Sequence, residues 1–410
     1  MSLSKGTNIA KKNSFVSFTT FRSTIFPGQS SVKKEMKAVI AVISDLSTDM
    51  RVRKLALLMA EEGLDVTLTG RHSVNRLPGE LPGITMSRIR VPFRRGPAMY
   101  LVFNILLFFR LLSRRFDICV ASDLDTLVPC YLVSRLFGRK LIYDSHEYFT
   151  GQYGLRERKV KYFLWKFAEK AIVPRLRWMV TVSDSIAELY RKEYGVNPVV
   201  VRNVAPGVEG LLPRRRDELG ARPGELLVIF QGAGINPGRG AEELLDAIAL
   251  VTEVRLVIIG SGDIIEQIKI RAARSEARDR VIFLPGMPWE EMMRYTLCCD
   301  AGLSLDTDTC INQRYSLPNK LFDYIAAGIP VIVSPLPEVS ALVGRYACGV
   351  VLDEVTPEAI AGQLRRLAED RRLLVSLRKN AEKARIGLNW ENERIKEQEL
   401  IRSVIKSNSK

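Results

Sequence analysis

Residues 316–335 read SLPNKLFDYIAAGIPVIVSP, and this stretch decides the fold. It parses as a short helix, a glycine stop at Gly328 and a buried strand over residues 329–333. Pro318 suits the first turn of a helix, with Ser316 before it as a cap. That leaves the backbone N–H groups of Asn319 and Lys320 free at a helix N-terminus, where the helix dipole favours a phosphate. Asp323 lies one turn further on the same face, placed to accept both hydroxyls of a ribose. The same residues also fit a plain amphipathic helix that packs through Leu321, Phe322, Ile325 and Ala326, with Asp323 in solvent.

Outward from this stretch, the pattern of strand, loop and helix repeats across most of the 410 residues. Upstream, residues 226–230 read as a strand, QGAGINPGRG (231–240) as a glycine-rich loop, and 241–251 as a helix. Strands at 255–259, 281–284, 301–305 and 350–352 complete a doubly wound parallel sheet, with helices running to about 386. An earlier copy of the pattern begins at Met36. Strands at 38–44, 66–69, 84–91, 118–121, 141–143, 178–182 and 199–202 alternate with helices, and Gly63 ends the first of these. The chain therefore divides into a tail (1–35), a first α/β domain (36–205), a Pro- and Arg-rich linker (206–224), a second α/β domain (225–386) and a polar C-terminal helix (387–410) that returns to the first domain. The tail is Ser/Thr-rich, basic and aperiodic, so disorder is expected there. A translation start at Met36, directly before the first strand, would fit the same pattern.

Composition narrows the function classes. Hydrophobic content of 47% is that of a globular protein. The six cysteines show no CxxC pair, which points to free thiols in a reducing compartment, and two histidines, His72 and His146, are too few for a histidine-rich metal site. The net charge of +15 is local: residues 1–37 hold seven Lys/Arg against one Glu, and residues 81–116 hold seven Arg and no acid. Such a distribution favours one anionic partner over a general polyanion grip, and no aromatic-interleaved nucleic-acid module is present. Residues 98–112, AMYLVFNILLFFRLL, are apolar on all sides and flanked by Arg94, Arg95, Arg114 and Arg115. About fifteen residues fall short of the roughly 20 that span a bilayer. The segment fits a buried helix or, as the acid-free surroundings favour, a helix lying in an anionic membrane interface with those arginines on lipid phosphates.

Chemistry-bearing residues gather at strand ends. In the second domain Gly232 and Gly234 let backbone approach a ligand, and Arg239 stands near the next helix start; no GK[ST] follows, so the loop is not a P-loop. In the first domain DLSTDMR (45–51), SDLDTL (122–127) and YDSHEYF (143–149) follow three strands and open onto one sheet edge. Asp123 and His146 are the candidates for acid–base or hydroxyl-positioning work, and Asp45, Asp49, Arg51, Asp125 and Glu147 for the acceptor side. Local capping and turn roles compete for each of them.

Taken together, two Rossmann-like domains, QGAGINPGRG, PNKLFDYIAAGIPVIVS and the returning helix resemble a GT-B glycosyltransferase, similar to family 4, over residues 36 to about 405. The resemblance implies an enzyme with two doubly wound parallel-sheet domains facing a central cleft. Its second domain would hold a nucleotide-diphosphate sugar: Asp323 on the ribose, the Asn319 and Lys320 amides on the diphosphate and Arg239 opposing the phosphates. The first domain would receive the acceptor. It also implies retention of anomeric configuration without a metal or other cofactor. Departures from the family pattern are Tyr315 at the first position of Glu-x7-Glu, Ala233 for a common arginine and Ser122 for a common histidine; Arg314, Asp306 or Asp308 stand near enough in sequence to compensate. The expected partners are a nucleotide sugar, a lipid-linked or polysaccharide acceptor and an anionic membrane surface, with no nucleic acid. The expected place is the cytoplasm, peripheral to the inner face of the cytoplasmic membrane. Two other functions fit the resemblance: a sugar-nucleotide epimerase of the same fold, which the scarcity of histidine disfavours, and a module that binds nucleotide without turnover.

Overall fold

The computed structural model describes residues 36–46, 49–72 and 81–407. The expected disordered tail, 1–35, lies outside the described residues. Short apolar runs separated by helices fold here as parallel strands with crossover connections. The first set comprises β1 (Lys37–Asp45), α1 (Met50–Glu61), β2 (Asp65–Arg71), β3 (Thr85–Ile89), α2 (Pro97–Leu112), β4 (Ile118–Ser122), α3 (Leu124–Leu136), β5 (Lys140–Asp144), α4 (Lys159–Ile172), β6 (Trp178–Thr181), α5 (Asp184–Tyr194) and β7 (Val199–Val200). The second opens with β8 (Leu226–Gly232), α6 (Ala241–Ala249), β9 (Val254–Gly260), α7 (Ile265–Ala273), β10 (Val281–Pro285), α8 (Trp289–Thr296) and β11 (Ala301–Ser304). It closes with α9 (Ile311–Tyr315), α10 (Asn319–Ala326), β12 (Val331–Val333), α11 (Pro337–Tyr346), β13 (Gly349–Val351), α12 (Pro357–Glu369), α13 (Arg371–Gly387) and α14 (Trp390–Lys406).

The sheets run β3-β2-β1-β4-β5-β6-β7 and β10-β9-β8-β11-β12-β13, and their pairings are parallel. Ile40 of β1 pairs with Leu68 of β2 on one side and Val120 of β4 on the other. Strand order therefore reverses between β1 and β4, and again between β8 and β11. Parallel sheets open a crevice beyond their carboxyl ends at such reversals. Period-two alternation covers both faces of the first sheet. Val39 and Ala41 pack with Phe103, Leu107, Leu124 and Ile186 on one side, while Ala38, Ile40 and Val42 pack with Val52, Leu55, Ile401 and Val404 on the other. Thus α14 returns to the first sheet beside α1, and the Lys140 ammonium donates to the Val404 carbonyl at 2.8 Å.

Local chemistry shifts two expected boundaries. Pro318 does not lie inside the helix; its backbone is extended (ψ 139°) and its carbonyl accepts the Leu321 amide at 3.0 Å, so α10 starts at Asn319. Ser316 caps nothing downstream. It ends the unexpected short helix α9, and its hydroxyl donates back to the Gln313 carbonyl at 3.1 Å. Gly328 follows the helix with φ +69°, the left-handed stop that its sequence position suggested.

α2 buries a single stripe, Met99, Phe103, Leu107 and Leu111, and leaves Leu101, Ile105, Leu106 and Phe109 outward. No helix among the described residues is long and apolar enough to cross a membrane.

Candidate active site

Both sheets turn their reversal points toward one cleft of about 460 Å³. On the second-domain side Gly232 and Gly234 line it without side chains, and Gly240 closes the loop against Leu305, just past β11. A Cβ on Gly240, at φ +75°, would stand 2.5 Å from the Leu305 carbonyl oxygen, so only glycine lets the loop turn into α6 there. The loop thus presents Arg239 over the end of β11. Asp306, 1% exposed, lies beneath it. The Arg239 guanidinium approaches an Asp306 oxygen at 3.1 Å and the Lys320 ammonium approaches the same oxygen at 3.6 Å. Lys320 also sits 4.5 Å above the Phe230 ring. The amides of Asn319 and Lys320 precede the first intrahelical bond of α10, and both residues line the cleft. Arg239, Lys320 and a helix N-terminus therefore converge on one spot, an arrangement with the chemistry to take a doubly charged anion.

Asp323 is not poised as expected. It is buried, absent from the cleft lining, and both oxygens are taken: Trp289 Nε1 donates to one at 2.9 Å and Gln231 Nε2 to the other at 3.0 Å. Burial pushes its carboxyl up to about 6, against the pull of those two bonds. Gln231 does reach the cleft, and its carbonyl oxygen accepts the Thr296 hydroxyl at 2.8 Å. Asp323 thus touches the cleft through Gln231 in this arrangement.

On the first-domain side a charged relay runs inward from the cleft. Arg51 donates to Asp144 at 2.7 Å in a pair that is almost wholly buried, and to the Val201 carbonyl at 3.1 Å. Burial alone would raise the Asp144 carboxyl, but Arg51 and His146 hold it well below the usual carboxylate range. His146 Nε2 lies 3.0 Å from the second Asp144 oxygen and Nδ1 lies 3.3 Å from Asp123. Burial disfavours the charged ring, yet the two carboxylates carry its value up to about 9. Asp123 also accepts the His146 amide at 2.8 Å, and burial lifts its own carboxyl to about 7. It does so from a strained backbone, φ +63° and ψ 166°, a region ordinarily left to glycine.

Other acceptor-side expectations need correction. Arg51 lines the cleft, but its guanidinium is committed to Asp144 and Val201. Asp49 lines the cleft and also caps α1, accepting the Val52 amide at 3.2 Å and the Ser44 hydroxyl at 2.6 Å. Asp125 points into the protein under the first turn of α3, 5% exposed, and burial raises its carboxyl far above the ordinary value. Glu147 does face the cleft, where it accepts the Asn312 amide group at 2.6 Å. Asp45 ends β1, and its side chain lies outside the described residues.

Asn312 is a cross-domain residue that sequence reading missed. From α9 its carbonyl oxygen takes the Tyr148 amide at 3.1 Å while its NH₂ group holds Glu147. Tyr315 and Ile311 of the same helix pack on the first-domain core, and Ser183 donates to the Tyr315 carbonyl at 2.7 Å.

Two family models match the chain, one for each sheet. Residues 48–207 match the glycosyl transferase 4-like domain, and residues 213–384 match glycosyl transferases group 1. The chain is a GT-B glycosyltransferase of the family 4 kind. A D-inositol 3-phosphate glycosyltransferase of Jonesia denitrificans is 24% identical over 245 residues, which is 55% of this chain and 56% of that protein. The chain thus matches little more than half the length of that curated relative. Sucrose-phosphate synthase from Thermosynechococcus elongatus shares the fold over 91% of this chain and all of its own, at TM-score 0.74 and 16% identity. Anabaena HepE, solved with UDP and glucose, shares it over 91% of this chain and all of its own, at TM-score 0.67 and 14% identity.

The glycosyltransferase departs from its family pattern for legible reasons. Tyr315 stands where a carboxylate would face the sugar, and here that position helps dock one domain on the other. Ser122, in place of a common histidine, is fully buried, and the polar presence at that strand end passes to Asp123. Of the three nearby candidates for compensation, Arg314 and Asp308 pair with each other at 2.6 Å, and only Asp306 faces the cleft.

Proposed function

We propose that this glycosyltransferase moves a sugar from a nucleotide-diphosphate sugar to a lipid-linked or polysaccharide acceptor, with retention and without a metal. The observation that carries the donor half is the convergence of Arg239, Lys320 and the α10 N-terminus on one spot of the cleft floor. Bond breaking at the anomeric carbon leaves negative charge on the diphosphate, and fixed cations in a partly dry cleft are placed to stabilise it. The first-domain wall opposite supplies His146 and Glu147, with Asp123 bonded to the His146 ring and amide. An acceptor hydroxyl entering there attacks on the face the diphosphate leaves. The new glycosidic bond forms as the old one breaks, and the hydroxyl proton passes to a departing phosphate oxygen. His146, charged and held at both ring nitrogens, positions Asp123 and is not available as a base.

A membrane-borne acceptor is supported by the outer surface of the first domain. α2 exposes Leu101, Ile105 and Phe109, and α3, packed beside it, exposes Leu132 and Leu136, with Phe137 just past its end. α4 adds Val160, Phe163, Leu164 and Phe167, spaced as one helical stripe that faces outward and is 60–76% exposed. An apolar face of this extent marks an interaction surface. Residues 153–177 add eight Lys/Arg against two acids, one of which, Glu169, is buried. Apolar side chains ringed by cations match an anionic bilayer. The free state of all six cysteines suits the reducing cytoplasm, where the inner face of the membrane would be the site of action.

Calorimetric titration with UDP and with GDP, without metal, tests the donor half. Binding of one, lost in a Lys320→Gln, Arg239→Gln double variant, supports it; a folded protein that binds neither overturns it. Nucleotide binding with no sugar released from any donor would favour the non-turnover module instead.

A further inference from the structure

We propose that Asp306 is a positioning residue that holds Arg239 and Lys320 side by side as a prebuilt receptor and yields them to the donor diphosphate when it binds. The inference rests on the donor reading above. Three features of Asp306 carry it. It lies on the cleft floor, just past β11, at the strand-order reversal of the second sheet. It is almost fully buried, yet neither carboxylate oxygen receives a well-directed hydrogen bond from the described residues. Its near neighbours are instead two cations at 3.1 and 3.6 Å, both of which line the same cleft. A buried carboxylate left so incompletely bonded is costly unless function retains it. Here the unfinished bonds belong to cations that a diphosphate can draw away.

Charge arithmetic says why the receptor needs it. Without Asp306, two like charges would share a buried floor, and Lys320, 12% exposed, is the one able to escape by losing its proton. Burial does lower Lys320, Arg239 lowers it further, and Asp306 opposes both. The charged groups acting on Lys320 are Asp306, from the end of β11, and Arg239, from the loop before α6. β8 offers it only the Phe230 ring, and Asp323, three residues along α10, is engaged by Trp289 and Gln231. Asp306 therefore keeps the empty site at one net positive charge with its ammonium intact. An incoming diphosphate meets two ready cations, both free to exchange the incompletely bonded Asp306 for its oxygens.

The test is the pH dependence of nucleotide affinity, taken with UDP or GDP, whichever the wild type binds, between pH 6.5 and 9. Each variant is compared with wild type at the same pH, so the ligand's own titration cancels. Asp306→Asn should bind less tightly, and the deficit should widen with pH, by up to tenfold per unit once Lys320 loses its proton. Adding Lys320→Arg to Asp306→Asn should flatten that extra slope, because a guanidinium keeps its charge. A purely structural role would not be rescued this way. A deficit constant across pH, or one that Lys320→Arg leaves unchanged, overturns the proposal while leaving the donor reading intact. If the wild type binds neither nucleotide, the donor reading falls and this inference with it. Asp306→Ser serves as the second removal if the Asn variant does not fold; should neither fold, Asp306 is a stability residue and the proposal is wrong.

Discussion

The His146 imidazole is clasped by two carboxylates, Asp144 3.0 Å from Nε2 and Asp123 3.3 Å from Nδ1. Each ring nitrogen then donates, which requires the imidazolium. The folded value of about 9 lies above the ordinary 6.5. The stabilisation from this proton is complete below about pH 6.5 and disappears as pH rises through about 9. With only two histidines in the chain, proton NMR of the ring C–H signals can follow His146 directly. We expect its midpoint well above 6.5, and a downward move in Asp123→Asn. A His146 midpoint at or below 6.5 in the folded wild type would remove the relay.

Asp123 holds its place at a backbone cost. Positive φ with extended ψ is worth about 1–3 kcal/mol of strain for a residue with a Cβ. Asp123→Ala and Asp123→Gly both remove the carboxylate, but only glycine removes the strain. The glycine variant should therefore be more stable than the alanine variant by about 1–3 kcal/mol in denaturant melts, while both lose most sugar transfer. Equal stabilities would mean that the strain is absent in solution.

Asp323 offers a pH signature of a different sign. Its folded value of about 6 stands above the ordinary 3.8, so burial opposes its ionisation. That penalty is absent below about pH 3.8 and full above about pH 6. Asp323→Asn carries no such penalty. Its stability relative to wild type should improve by roughly 3 kcal/mol between pH 4 and pH 8, for about two pKa units at 1.36 kcal/mol each. Any constant cost of the amide against Trp289 and Gln231 cancels in that difference. Nucleotide affinity should fall at the same time if the new NH₂ group turns to Gln231, because the amide keeps a single acceptor oxygen for the two donors Gln231 and Trp289. A pH-independent stability difference would show Asp323 to be ordinary in its ionisation.

The sheets were legible because buried parallel strands are written as short continuous apolar runs, as in Val39–Val42 or Leu226–Phe230. The α10 stretch was legible for the same reason, with Gly328 to end it. The cleft chemistry was only half so. Asp123, His146, Arg239 and Lys320 follow strands or begin helices, positions that a sequence pattern locates. Asp306 and Asn312 owe their roles to partners 67 and 165 positions away, at Arg239 and Glu147, and no local spacing carries that information. Asp125 and Asp323 have the right residue type and the wrong orientation: buried carboxylates look the same in sequence as cleft-facing ones. The outward face of α4 was illegible for a third reason. The spacing of Val160, Phe163, Leu164 and Phe167 is what an inward face would show, and periodicity defines a stripe without saying which way it turns.

That outward stripe makes the membrane proposal divisible into two forces. Lys and Arg near an anionic surface contribute about 1 kcal/mol each and are screened by salt, whereas apolar insertion is not. Phe163→Asp with Phe167→Asp should abolish cosedimentation with phosphatidylglycerol vesicles at both low and high salt, with an unchanged melting temperature because both rings are exposed. Replacing Arg94, Arg95, Arg114 and Arg115 by Gln should weaken binding chiefly at low salt. Within that set the arginines are unequal. Arg114 turns back to the Thr67 hydroxyl at 3.3 Å, while Arg115 is exposed, so Arg115→Gln alone should cost more than Arg114→Gln. Phosphatidylcholine vesicles should capture the wild type poorly, since they offer the apolar phase without the charge. Unchanged sedimentation of the aspartate variant would leave the apolar face to another partner and overturn the membrane reading.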